Sequence, residues 1–223
     1  MRLSENVIEQ INGREGETAT FLSRCLLTLN LRVAVSRRVN AAVVRLSVAV
    51  EKFKILAGLP VYGDLPEQFS TTGMGMHSEG FVVQFFLADN QDSWVGNFQR
   101  GLNSFDEVLE HPDAVSVIVV AGGECYIVHV ENRKLKDNFG AMFETVIRIP
   151  EKNIIIFGTC IDFEAVGASG HIWQSRRISL DGIHSLKLEG DTLTGEAWSF
   201  EDIWIPFSLD VNSGEHKGGA KVE

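Results

Sequence analysis

Residues 161–182, IDFEAVGASGHIWQSRRISLDG, concentrate side chains that could do chemistry. Cys160 precedes this stretch, and together with Asp162 and His171 it supplies the residue types of a nucleophilic set, in which a base activates a thiol and a third group orients the base. However, Cys160 follows a strand glycine in the same way as Cys125 does. Both thiols are therefore interpreted as filling small apolar spaces, and no catalytic residue is assigned.

The pair Arg176 and Arg177 offers planar guanidinium groups, which bind carboxylates and phosphates through paired hydrogen bonds. In a strand these two side chains would point to opposite faces. One could then reach Glu164 or Asp181, which are near in sequence, as a structural ion pair or a turn anchor. The other interpretation is an anion-binding or partner-binding site, for which Arg176, Arg177 and Asp181 are the candidate residues.

His77 and Glu79 stand side by side in a glycine-rich segment and complete the set of candidate ligand-binding or partner-binding residues. With Arg176 and Asp181 they form the site of an alternative hypothesis, a small hydrolase. The six histidines show no HxH, HExxH or cysteine-paired spacing, and no D-x-D-x-D run occurs. We therefore expect no metal site and no cofactor.

Charge is distributed unevenly along the 223 residues. Residues 1–60 contain nine basic and five acidic side chains, a balance of +4, whereas the rest contains eleven and twenty-five, a balance of −14. An acidic body argues against a nucleic-acid groove, which needs local positive potential. The sequence shows no secretory signal, no run of about twenty apolar residues and no CxxC pair, so we expect a cytoplasmic protein without a membrane span.

Composition changes along the chain predict four segments. Residues 1–52 form a basic N-terminal extension of helical or mixed structure, interpreted as loosely attached, as a targeting presequence, or as translated from upstream of the natural start. Residues 53–80 form a connector rich in glycine and proline. Residues 81–218 form a repeat domain, and residues 219–223 a disordered tail.

Within the repeat domain, three apolar strands end at glycines with nearly constant spacing. Gly122, Gly158 and Gly195 lie 36 and 37 residues apart, and each is flanked by alternating strands and polar turns. Each unit is predicted to be a four-stranded antiparallel meander, the period expected of propeller blades. The segments FVVQFF and WVGNF add half a unit, in which Trp94 corresponds to Trp173. The predicted fold is all-β, with about three and a half meanders packed in propeller-like fashion.

One aromatic side chain recurs in each unit, and large rings commonly fill the wedge between adjacent sheets. The terminal units of such an array expose apolar surface and a free strand edge. We expect the extension, the connector or a second copy of the chain, as a homodimer, to cover them. The aromatic residues predicted to fill wedges are Trp94, Tyr126, Phe163, Trp173 and Trp204.

The turn DVNSGE, residues 210–215, resembles the D-x-x-S/T-G-E turns of quinoprotein-like β-propeller repeats. Residues 52–218 as a whole resemble a small, functionally uncharacterised family of bacterial proteins. This resemblance implies a start near residue 50 and implies no activity. The W-x-x-x-T/S pattern of quinoprotein blades is missing, so no quinone cofactor is expected. The segments that carry the family resemblance are ILAGLPVYGDLPEQFS, WVGNFQRG, VIVVAGG and WQSRRISLDG with LEGDTLTGEAW.

These observations favour a non-enzymatic binding or protein-interaction module of bacterial type, which would recognise another protein or a small ligand through loops at one end of its sheets. One version is an antitoxin or immunity protein whose acidic body covers a basic toxin. The alternatives are the hydrolase described above and a structural scaffold or homo-oligomer.

Overall fold

The computed structural model describes residues 51–73, 78–87 and 92–220. The chain divides into two compact units, residues 1–51 and 52–223, and the account below concerns the second. The predictions made for the N-terminal extension, and the candidate residue His77, lie outside the described residues.

Sixteen strands pair into four sheets of four strands each. The first sheet contains β1 Phe53–Ile55, β2 Glu67–Phe69, β3 Phe81–Phe86 and β4 Ser93–Phe98. The second contains β5 Glu107–Glu110, β6 Ser116–Ala121, β7 Glu124–His129 and β8 Lys134–Phe139. The third contains β9 Thr145–Ile149, β10 Ile154–Gly158, β11 Phe163–Gly167 and β12 Gly170–Gln174. The fourth contains β13 Ile183–Glu189, β14 Thr192–Trp198, β15 Trp204–Asp210 and β16 His216–Gly218.

The second, third and fourth sheets are antiparallel meanders in which each strand pairs with the next along the chain. The predicted all-β fold of four-stranded meanders is confirmed. Polar turns and a single turn of 3-10 helix at Pro150–Lys152 separate the strands, and the described part of the chain contains no α-helix.

The first sheet is a complete four-stranded unit, whereas the sequence predicts only half a unit there. Two short strands from the predicted connector flank the β3–β4 hairpin, giving the strand order β1-β3-β4-β2. Strand β1 pairs antiparallel with β3, whereas β2 runs parallel to β4. The described chain therefore contains four sheets rather than three and a half.

Apolar cores fill the spaces between successive sheets, and the alternation of strand side chains explains how. Along β6, Val117 and Val119 face the first sheet, whereas Ile118 and Val120 face the third. Ile156 of β10 points in turn to the fourth sheet. The second and third sheets are thus covered on both faces, which is why their central strands are almost continuously apolar.

The fourth sheet buries only one face in such a core. Leu193 and Ala197 of β14 and Phe207 of β15 pack against the third sheet. Within residues 52–73, 78–87 and 92–220, no buried apolar cluster joins the other face of this sheet to the first sheet. We call the face that points away from the third sheet the outer face of the fourth sheet.

Residues 219 and 220 depart from the predicted disordered tail, whose last three residues lie outside the described part of the chain. Gly219 donates its N–H to the carbonyl of Pro206 at 3.0 Å, and Ala220 donates to the carbonyl of Ile178 at 2.7 Å. Ala220 is buried. These two residues continue the edge of the fourth sheet and link it to the segment that leaves the third.

Four of the five predicted wedge aromatics are buried between sheets, as expected: Trp94, Tyr126, Phe163 and Trp173. The prediction for Trp204 is wrong, because its side chain is 39% exposed on the outer face of the fourth sheet. Side chains alternate along β15, and the neighbours of Trp204 that face the core are Phe207 and Leu209. The strand period therefore turns Trp204 outward.

Candidate functional site

An open groove of roughly 660 Å³ lies where the third sheet meets the fourth. One wall is the segment that follows β12, and the other is the β15–β16 turn together with β16. The two walls are 36 or more residues apart in sequence and meet only because consecutive sheets pack face to face. The groove is lined by Gln174, Arg176, Arg177, Ser213, Gly214, Glu215, His216 and Ala220.

The turn that forms the second wall is shaped by local hydrogen bonds. The Asp210 carboxylate accepts from the N–H of Asn212 at 2.7 Å, and the Asp210 carbonyl accepts from the N–H of Gly214 at 2.8 Å. Gly214 has φ 73°, a left-handed conformation that favours glycine. The turn DVNSGE therefore has the residue types that its backbone requires.

Trp173 joins the two walls from below. Its indole Nε1–H donates to the carbonyl of Val211 at 3.0 Å, across from the third sheet to the fourth. A Cβ at Gly214 would lie far inside van der Waals contact with Cε3 of Trp173. The ring thus packs directly under the turn and fixes its position relative to β12.

Arg177 is held by backbone oxygens on the first wall. Its Nε donates to the carbonyl of Ser179 at 2.8 Å, and its Nη2 donates to the carbonyl of Leu180 at 2.6 Å. This is the turn-anchor role that the sequence left open. Two donors satisfied in this way orient the guanidinium with its Nη1 group unpaired among the described residues.

Arg176 has a different environment from its neighbour. Its exposed side chain makes no hydrogen bond and no ion pair within residues 51–73, 78–87 and 92–220. Its charge acts on His216, whose pKa is lowered first by burial and then by Arg176. Glu215 stands in the same groove. The groove therefore combines an unpaired cation, an anchored cation, a histidine that favours its neutral form and one carboxylate.

The structure separates the remaining predicted site residues. Glu79 belongs to the first sheet, where its Oε2 accepts from the N–H of Leu59 at 3.0 Å. Asp181 is exposed in the link between the third and fourth sheets and makes no ion pair with Arg176 or Arg177. No contact between Glu79 and either arginine occurs in the described part of the chain.

The acid near Arg176 in sequence has another partner. The carboxylate of Glu164 lies 3.6 Å from Nε2 of His171. Burial raises the pKa of Glu164, and the charge of His171 partly opposes this shift. His171 therefore faces a carboxylate and is not positioned as the base of a Cys160 thiol.

Cys160 lies in a separate cavity of roughly 360 Å³ that also contains Asp162 and Glu164. Burial, followed by the charges of Glu144 and Asp181, raises the pKa of the Cys160 thiol. A nucleophilic cysteine needs the opposite shift, because the thiolate is the reactive form. This environment agrees with a space-filling thiol.

Sequence reasoning identified Arg176 and Arg177 but not the wall that faces them. The DVNSGE turn and the His216 that follows it mark residues 213–216 in the sequence, but the pattern by itself indicates only a repeat element.

Within the described residues, no group of three or more histidine, cysteine, aspartate and glutamate side chains could hold a metal ion. Among those residues no helix has the length and apolar character to cross a membrane.

No protein-family model and no curated protein matches this chain. Solved structures match parts of it, among them the following three. Hydrazine synthase of Kuenenia stuttgartiensis shares 14% identity with a TM-score of 0.41, over 62% of this chain and 42% of that one. A eukaryotic initiation factor shares 10% with a TM-score of 0.35, over 63% and 40%. The N-terminal domain of Nup159 shares 13% with a TM-score of 0.39, over 75% and 49%. The chain thus spans less than half the length of each.

Proposed function

We propose that this chain is a non-enzymatic binding protein that recognises an acidic group of another protein or of a small ligand in the groove. The observation that carries the proposal is the state of Arg176. An exposed guanidinium without a partner among the described residues, beside a second guanidinium held in place by backbone oxygens, is ready to bind a carboxylate through charge-assisted hydrogen bonds.

The composition of the groove supports a carboxylate rather than a chain of phosphates. Glu215 stands in the same groove, and the chain from residue 61 onward has a balance of −14. Nucleic-acid binding depends on many phosphate contacts with basic side chains. A single carboxylate needs only the two arginines, and Glu215 can pair with a donor elsewhere on the same ligand.

The finer parts of the hypothesis stay predictions. We expect the partner to be a protein and the setting to be cytoplasmic, where Cys125 and Cys160 would remain thiols, as they are in the structure. The antitoxin or immunity version depends on the acidity of the body alone. The hydrolase alternative would require Cys160 or another nucleophile with a lowered pKa.

The test uses two acetylated and amidated hexapeptides of glycine that carry either two glutamates or two glutamines, with binding followed by calorimetry. We expect the glutamate peptide to bind and Arg176→Gln to weaken it by about 10-fold or more, the loss expected for one charge-assisted hydrogen bond. Arg133→Gln is the matched control. It removes the same charge from the β7–β8 turn of the second sheet, which corresponds to the β15–β16 turn of the groove. Equal binding of the glutamine peptide, or equal effects of both substitutions, would contradict the proposal.

Stability measurements distinguish a loss of peptide binding from a loss of folding. Arg176 is exposed and unpaired, so its substitution should change the free energy of unfolding by no more than about 0.5 kcal/mol. A weaker affinity without a change in melting temperature then reports on the groove alone.

A further inference from the structure

The outer face of the fourth sheet carries an exposed aromatic cluster that plays no part in the groove. Trp204 opens β15 and packs edge-on against Trp198, with ring centroids 4.9 Å apart at 61°. The imidazole of His184 also contacts Trp204, at a centroid distance of 3.7 Å. Trp198 and Trp204 are direct cross-strand partners, so both rings stand on the face opposite the third sheet.

The β14–β15 turn extends this cluster. Phe200 is 80% exposed and Ile203 is 48% exposed. Ser199 fixes the turn, since its N–H donates to the carbonyl of Ile203 at 3.1 Å and its carbonyl accepts from the N–H of Asp202 at 3.3 Å. The apolar side chains are thus presented on a hydrogen-bonded turn. We call Trp198, Phe200, Ile203 and Trp204 the aromatic surface.

The chain segment that carries the aromatic surface has acidic charges only. Residues 196–204, EAWSFEDIW, contain three acidic side chains and no lysine or arginine. Glu196 lies 3.4 Å from Nδ1 of His184, so it borders the cluster directly. Glu201 and Asp202 make no ion pair with any described residue, although they flank the two exposed apolar side chains of the turn.

We propose that the aromatic surface docks a basic segment of a partner protein, in which an arginine or lysine stands next to an apolar side chain. A guanidinium stacks on an exposed indole face and gains cation–π attraction. The unpaired carboxylates beside the rings complement its charge. Exposed tryptophans of this kind supply much of the binding energy at protein interfaces.

This surface is distinct from the β15–β16 turn of the groove in position, and from the groove as a whole in chemical preference. Trp204 begins β15, whereas the groove turn follows the other end of that strand, about 20 Å away at roughly 3.3 Å per residue. The groove offers cations to an acidic group, and the aromatic surface offers carboxylates and π faces to a basic one. The proposal therefore stands or fails independently of the function proposed for the groove.

The probe is an acetylated and amidated nonapeptide with three Arg-Leu-Gly repeats, labelled for fluorescence anisotropy. One matched peptide replaces arginine by citrulline, which keeps the shape without the charge. We expect binding of the arginine peptide only, weakened at high salt. Trp204→Ala should reduce its affinity by about 10-fold, and E201Q/D202N by about 3-fold.

Two control variants decide whether the aromatic surface is what binds the arginine peptide. Tyr62→Ala removes an aromatic ring that is 90% exposed in the loop between β1 and β2, and it should leave affinity unchanged. Arg176→Gln should also leave it unchanged, because the groove is not involved. The double acid variant tests the surface without removing any apolar contact, so a folding defect in Trp204→Ala would not leave the question open.

Three results would overturn the proposal. The first is equal binding of the citrulline peptide, and the second is full affinity in both Trp204→Ala and the double acid variant. The third is a solution mass of two chains that Trp204→Ala returns to one, because the occupant of the surface would then be a second copy of this chain.

Discussion

Two tryptophans join neighbouring sheets in the same way, yet their surroundings differ. Trp94 of the first sheet donates its Nε1–H to the carbonyl of Val130 in the second at 3.0 Å. Trp173 of the third sheet donates to the carbonyl of Val211 in the fourth, also at 3.0 Å. Each acceptor directly follows the third strand of its sheet. The two pairs of sheets therefore repeat one joint.

The packing around the two rings is where the joints diverge. Trp94 stacks on Phe85 with centroids 4.4 Å apart, inside a cluster of aromatic rings. Trp173 instead packs under a glycine. At the turns beside the two acceptors, Arg133 and Gly214 both adopt positive φ, 53° and 73°. The first joint is filled with rings, whereas the second leaves the space above its turn open as the groove.

The same arrangement, an indole that donates to a carbonyl of the next sheet, thus occurs in a filled joint and in an open one. In both joints a buried indole satisfies a carbonyl at the end of a strand, which would otherwise cost free energy. In the second joint the absence of a side chain at Gly214 brings the turn down onto Trp173 and leaves room for Arg176 and Arg177. The open groove therefore depends on the lack of a side chain at Gly214.

The largest expected effect is on stability, from removing either ring. Trp94→Ala and Trp173→Ala should each lower the free energy of unfolding by about 3–5 kcal/mol, because each leaves a cavity and an unpaired carbonyl. Trp94→Ala should cost more, since its ring also stacks on Phe85. Urea denaturation measures both. A loss no larger than that of the exposed control Trp204→Ala would show that the joints do not hold the sheets together.

Exchanging the turn residues should have unequal effects on stability at the two joints. Gly214→Ala should destabilise the fold by about 2–3 kcal/mol, because its Cβ meets the Trp173 ring and its φ is left-handed. Arg133→Gly should be within about 1 kcal/mol of the parent chain, since relief of the left-handed strain offsets the added freedom of glycine when unfolded. Thermal unfolding of both variants makes the comparison, and equal losses would contradict it.

A pH dependence should come from His111, which is buried in the second sheet after β5. Its Nδ1 accepts from the N–H of Asp113 at 3.1 Å, and its Nε2 has no partner among the described residues. Burial lowers the pKa of His111, although Asp113 opposes the shift. Burial alone would raise the pKa of Asp113, yet hydrogen bonds from Ser116 and Lys136 hold it well below its ordinary value.

The neutral form of His111 is favoured in the folded chain, so the unfolded chain binds more protons as the pH falls below 6.5. Stability should decrease over that range until the pH reaches the lowered pKa of the folded state. We expect this decrease between pH 7.5 and 5.5 in urea denaturation, and a smaller one in His111→Gln. The exposed His184→Gln is the control. An identical slope in all three proteins would assign the effect to other groups.

The smallest effect concerns His216 in the groove, and it sharpens the same comparison. The positive charge of Arg176 contributes to the lowering of the His216 pKa, after burial. Arg176→Gln should therefore raise the pKa of His216, as measured by NMR titration of its imidazole. Arg133→Gln, which changes the other joint, should not move it. An unchanged His216 titration in Arg176→Gln would mean that the two side chains do not share the groove.

The sequence predicts the meanders because their information is local. Glycine spacing and alternating apolar residues determine β5 to β16, and hairpin partners lie close in the chain. β1 and β2 escape prediction, because each has three residues in a segment rich in glycine and proline. They become strands only through backbone pairing with the later hairpin.

The site is predictable in part, for a similar reason. Arg176 and Arg177 attract attention because adjacent arginines do not fit the repeat. The sequence does not indicate the opposite wall of the groove, because Ser213 and Glu215 come to lie across from the arginines only when two whole sheets pack together. The outward position of Trp204 was within reach of sequence reasoning, because Phe207 and Leu209 define the inner face of β15 and the period of two places Trp204 on the other.

The parallel pairing of β2 with β4 has a consequence for the order of assembly. The meanders of the last three sheets can form by closing short hairpins, whereas β1 and β2 have no partner until the β3–β4 hairpin exists. Contacts that span more sequence form more slowly, because loop closure must come first. During synthesis, the first strands of this unit to be made are therefore expected to wait for their partners and to be among the last to settle.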